Sequence, residues 1–144
     1  MDMKDSKDVL GSLVKTAQMG QTGLDCVLAA PLGPRLRQCL QRQHQVYREI
    51  QQEAQEILAC RNWQAEELSP MSRVYAKMAT KMKLAGRETD SKAAAMVIQG
   101  STKGLVKGTQ NLRQLNQQDT AVSALAQRLL DTEAESIRQM QSFL

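Results

Sequence analysis

The chain has 144 residues, enough for one domain spanning 1–144 and too few for two ordinary ones. Aromatic residues are only 3%, which argues against a sandwich or barrel, and the prevalent Leu, Ala, Met, Gln, Lys, Arg and Glu are helix formers. The net charge of +4 is uneven, because residues 73–113 hold nine basic groups against two acidic ones; that stretch is read as a solvated basic face.

The first long helix is expected from about Ser6 to about Ala29, capped by Ser6 or Asp5, with Asp8 in its first turn. Leu10, Leu13, Val14, Ala17, Gln21, Leu24 and Leu28 share one face at about 100° per residue. Gly20 and Gly23 weaken its middle. Pro31-Leu32-Gly33-Pro34 is a stop and a restart, and Pro34 suits a first helical position.

The second helix follows to about Arg61, with Leu36, Leu40, Gln43, Tyr47, Ile50, Ala54, Ile57 and Leu58 as its stripe. The short connection makes the two antiparallel neighbours. A break at Asn62–Leu68 leads to Ser69-Pro70, which open a short crossover helix at about 70–86. Val74, Met78, Met82 and Ala85 form its apolar side, and Arg73, Lys77 and Lys81 form a basic surface row.

The third long helix is expected from an Asp90 cap to about Asn116, carrying Gly100, Gly104 and Gly108 four apart beside Ala93 and Val97. Each glycine costs about 1 kcal/mol against alanine in a helix interior. Three on one strip therefore mark close packing, read here as room for the backbone of a neighbouring helix. The fourth helix runs from an Asp119 cap nearly to Leu144, with Val122, Leu125, Ala126, Leu129, Glu133, Ile137, Met140 and Leu144 as its stripe.

The architecture that follows is all-α: two helical hairpins joined by one long crossover, the ferritin-like variant of the four-helix bundle. An alternating up-down bundle is the other arrangement this helix content allows.

The segments KDVLGSLVKTAQMGQTGL, LGPRLRQCLQRQHQVYREIQQEAQEIL, MVIQGSTKG and ALAQRLLDTEAESIRQMQSFL resemble small ferritin-like proteins of spore-forming Gram-positive bacteria. The first hairpin is more loosely similar to the spore coat protein F family. The resemblance covers nearly the whole chain and rests on packing motifs. It implies the ferritin-like fold and a bacterial origin, with no assigned chemistry.

A di-iron centre in such a bundle takes Glu from two helices and Glu-x-x-His from the other two. The single histidine, His44, has Gln41 and Tyr47 three residues away on either side, and the third helix has no carboxylate between Asp90 and Asp119. No di-iron site and no cofactor are expected; His44 and Glu133 are the first suspects for any other metal. A different feature is a polar layer at mid-bundle, made of Gln21, Gln43, Tyr47, Ser101 and Glu133. A core carboxylate requires a hydrogen-bond partner, for which Tyr47 and Gln21 are the candidates.

Cys26, Cys39 and Cys60 have neither disulfide-framework nor zinc spacing. The N-terminal segment has no apolar signal core and no stretch reaches membrane-span length, so a cytoplasmic protein is expected. The leading functional expectation is a non-enzymatic structural or interaction module that self-associates, as a dimer, or meets a protein partner. The alternatives are a metal- or small-ligand-binding bundle and a basic adaptor for nucleic acid or anionic lipid. Nucleic acid is the weakest of these, because the basic stretch lacks interleaved aromatics.

Overall fold

In the computed structural model, residues 5–64, 88–116 and 118–144 are described, and they form four α-helices. Helix α1 is Ser6–Leu28, α2 is Pro34–Cys60, α3 is Thr89–Gln114 and α4 is Thr120–Gln141. The expected crossover helix at about 70–86, with Arg73, Lys77 and Lys81, lies outside the described residues.

Local signals set the helix ends. The Asp5 carboxylate accepts the Asp8 amide at 2.8 Å and caps α1. Proline opens α2. The orphan carbonyls at the end of α1 are taken up by Arg37, which donates to Leu28 O at 2.9 Å and to Ala30 O at 2.8 Å. Asn62 ends α2 in the left-handed region at φ 58°. The Trp63 amide donates to Leu58 O at 2.8 Å and the Asn62 amide to Ala59 O at 3.1 Å. That pair of bonds is a Schellman closure, for which asparagine is suited after glycine.

One expected cap is corrected. Asp90 lies inside the first turn of α3, with Glu88 at the cap position. Its Oδ1 instead accepts the Gly33 amide at 2.9 Å, which ties the start of α3 to the α1–α2 turn. At the opposite end, Arg61 after α2 pairs with Asp119 before α4, and Ser6 at the start of α1 donates to the same carboxylate.

These two ties set the topology. The start of α3 is beside the turn where α1 ends and α2 begins, so α2 and α3 run the same way, and α1 and α4 run the other way. The alternating up-down arrangement is thereby excluded. The pairs α1–α2 and α3–α4 pack most closely, α1 is flanked by α3, and α2 is flanked by α4.

The core is aliphatic along most of its length, with Leu10, Leu36, Leu40, Ile50, Leu129 and Met140 among its largest fully buried side chains. Each such side chain contributes roughly 1.5–3 kcal/mol by leaving water. Leu28 and Ile57 from the expected stripes are only partly covered, and Leu144 is exposed. The aliphatic core is interrupted at mid-bundle, where polar side chains from three helices meet.

Candidate functional site

Glu133 is on the inward face of α4 and is 2% exposed. The Tyr47 hydroxyl on α2 donates to its Oε1. Burial pushes the Glu133 carboxyl up to about 7, and the bond from Tyr47 holds it lower than burial alone would. Near neutral pH this carboxyl therefore exists in both protonation states.

Two glycines on the other two helices make room for the pair. A Cβ on Gly20 of α1 would fall 2.8 Å from the Tyr47 ring. A Cβ on Gly104 of α3 would overlap Glu133 Oε2 and lie 2.9 Å from the carboxyl carbon. The Tyr and Glu of the α2–α4 layer thus reach across the core into notches in the α1–α3 layer. Leu130 fills a third notch, 2.6 Å from where a Gly108 Cβ would stand.

The expected role of the glycine strip is corrected here. Gly104 and Gly108 admit side chains of α4, not the backbone of a neighbouring helix. Both face the interior, so neither offers an outward face for self-association. Gly100, half-buried, lines a cavity described below.

One turn along from the Tyr47–Glu133 pair is a second set of polar contacts. Ser101 Oγ donates to Ser136 Oγ at 3.1 Å, and Ser136 Oγ donates to Gln43 Oε1 at 2.9 Å. Gln43 Nε2 continues to Gln139 Oε1 at 3.4 Å, and the Cys39 thiol donates to the same oxygen at 3.1 Å. Burial pushes the Cys39 thiol above its ordinary value.

The structure therefore brings Gln43, Tyr47, Ser101 and Glu133 to one region of the core. Gln21 is elsewhere: half-buried, it donates to Gln51 Oε1 at 2.5 Å and to Ala17 O at 3.2 Å. Ser136, 1% exposed, joins Ser101 to Gln43 and is a member of this set that the sequence expectation lacks. Its signal was its position, three residues after Glu133 and hence on the same side of α4. Gly20, a weak point of the first helix by composition, is the notch that admits the Tyr47 ring.

Between α1 and α3 is a cavity of about 290 Å³. Met19, Leu24 and Val27 of α1 and Met96 and Val97 of α3 wall it, and Tyr47 and Glu133 form its floor. Exposed Lys103 and Lys107 stand at its rim. Among the described residues, Glu133 Oε2 has no hydrogen-bond partner. Thr16, Gln99 and Ser101 also line the cavity, so the site offers largely apolar walls with a few polar groups, of which Glu133 is the carboxyl, the usual layout of a small-molecule site.

Metal binding has less to stand on. His44 Nε2 is 2.9 Å from Asp25 Oδ1 at the α1–α2 edge, close enough to pair when protonated but without hydrogen-bond alignment. Glu49 and Glu53 are both engaged by Arg128, at 3.1 and 3.3 Å. Among the described residues, no three of His, Cys, Asp or Glu converge as a metal would require. No helix among them is long and apolar enough to cross a membrane. No protein-family model, curated protein or solved structure matches this chain.

Proposed function

We propose that the protein is a non-enzymatic, small-ligand-binding bundle with ferritin-like helix order, and that the cavity between α1 and α3 is its binding site. One observation carries this reading: a cavity of about 290 Å³ ends on a buried carboxyl whose second oxygen lacks a protein partner. A carboxyl kept only to fix helix register would be expected to have all its hydrogen bonds satisfied within the core. The parallel course of α2 and α3 supports the ferritin-like order, as does the resemblance of all four helices to small bacterial ferritin-like proteins. The polar groups beside Glu133 are Tyr47, Gln43 and two serines, neutral groups poorly suited to an iron pair.

The test is direct binding of a neutral apolar probe, N-phenyl-1-naphthylamine, followed by its fluorescence. Saturable, stoichiometric enhancement is expected with the native chain. It should disappear in Met96→Trp, which fills the cavity from the α3 side, while circular dichroism stays helical. Absence of binding to the native chain, or equal binding to the filled variant, would overturn the assignment.

A further inference from the structure

We infer that the ligand of this cavity is a neutral, mostly apolar molecule carrying one hydroxyl group, which it places against Glu133 Oε2. The inference rests on the cavity being the binding site, and it goes further by naming the chemistry of the occupant.

Size comes first. An apolar cavity of roughly 150 Å³ holds a benzene molecule. The 290 Å³ here is about twice that, suiting a fused two-ring compound or an aliphatic chain of similar bulk. The walls are mostly Met, Leu and Val side chains, which supply dispersion contact, with Thr16, Gln99 and Ser101 as the neutral polar groups among them. The two methionines, one on each wall, can adjust to the outline of a ring.

Charge then narrows the class. An organic cation would have to pass Lys103 and Lys107 at the rim. A carboxylate driven to the floor would meet the carboxyl of Glu133. An anion held at the rim by the lysines would lay its apolar tail on Glu133, stripping water from that group and returning no hydrogen bond. A neutral molecule meets none of these penalties.

Hydrogen bonding selects the hydroxyl. Tyr47 already donates to Oε1, leaving Oε2 as the open position. A hydroxyl can donate to that oxygen when the carboxyl is ionised and accept from it when the carboxyl is protonated. It is therefore satisfied in both states, whereas an N–H donor or an ether oxygen matches only one.

The experiment is calorimetric titration of the full chain with four probes of one shape: 2-naphthol, naphthalene, 2-naphthoate and 2-naphthylmethylammonium. We expect 2-naphthol to bind most tightly, roughly tenfold better than naphthalene, the value of one well-made hydrogen bond. Glu133→Leu should erase that preference and Glu133→Gln should keep most of it, since an amide can still exchange a hydrogen bond with a hydroxyl. Should the leucine variant fail to fold, the glutamine variant and the ranking of the four probes remain decisive. Tightest binding of the naphthoate or the ammonium compound would overturn the ligand class and leave the site standing. If no probe binds, or all bind Met96→Trp equally, the site itself is wrong and this inference falls with it.

Discussion

The carboxyl of Glu133 occupies the volume where a side chain at Gly104 would begin. Alanine at position 104 would gain about 1 kcal/mol in helix propensity. It would also push against a buried carboxyl held by Tyr47, and overpacking of this kind costs about 1–3 kcal/mol. We expect Gly104→Ala to be destabilising on balance in urea unfolding. Combined with Glu133→Ala, which vacates the notch, the same change should become neutral or favourable. A double-mutant cycle with no coupling between the two positions would contradict the geometry. Gly108→Ala should cost less than Gly104→Ala, because it meets only the movable tip of Leu130.

The contribution of Glu133 to stability should fall as pH rises from about 4.5 to about 7. The carboxyl of Glu133 is raised from its ordinary 4.5 to about 7 in the folded protein. Below 4.5 it is protonated folded and unfolded, and adds no pH dependence there. Between 4.5 and 7 the unfolded chain releases this proton and the folded one retains it, so unfolding becomes progressively easier. Above 7 the deficit levels off at about 3 kcal/mol, at 1.36 kcal/mol per pH unit. Denaturation at pH 5 and pH 8 should show the difference in the native chain, and Glu133→Gln should remove this part of it.

Tyr47→Phe should move the Glu133 titration further upward, because the lost bond is the one favouring the ionised form. Carbon-detected NMR titration of the Glu133 carboxyl would report it. The variant should lose about 1–2 kcal/mol at pH 8, where an ionised carboxylate is left without a donor, and less at pH 5. Equal losses at the two pH values would mean that the hydroxyl serves packing alone.

The Asp119 carboxylate is held well below the usual range, chiefly by Arg61, with help from Ser6 and the Val122 amide. Its contribution is present above about pH 4 and is lost as pH falls below that, outside the window in which Glu133 acts. Asp119→Asn should keep the cap on α4 and lose the ion pair. Asp119→Ala should lose both, at a further cost of about 1 kcal/mol. Thermal unfolding of the two variants at pH 7 would separate these contributions.

Much of this arrangement is legible in residue order, for reasons that also mark where legibility stops. The spacing of Leu36, Leu40, Tyr47, Ile50 and Leu58 forces a buried face on any helix that contains them. Glu133 on such a face demands a donor, and Tyr47 at the matching depth is an obvious one. What periodicity cannot convey is which of two neighbouring faces a residue on the border turns to. Gln21, on the margin of its stripe, pairs with Gln51 outside the core; Ser136, on the margin of another, turns inward and joins Gln43. The glycines pose a similar ambiguity. A missing side chain announces that something approaches, and whether that something is a backbone or the end of a glutamate depends on the neighbouring helix. Asp90 had the composition of a cap, and its use by Gly33 required knowing that the turn between α1 and α2 lies beside it.

The carboxylate of Asp119 also bears on how this end of the bundle opens. It accepts the first turn of α4 through Val122, the first residue of α1 through Ser6 and the residue after α2 through Arg61. Helix ends ordinarily fray one at a time. Here three of them share a single acceptor, so release of one removes a restraint on the other two. Slow amides in the opening turns of α1 and α4 and the closing turn of α2 should then exchange with solvent through one common event, giving matched protection at sites far apart in the chain.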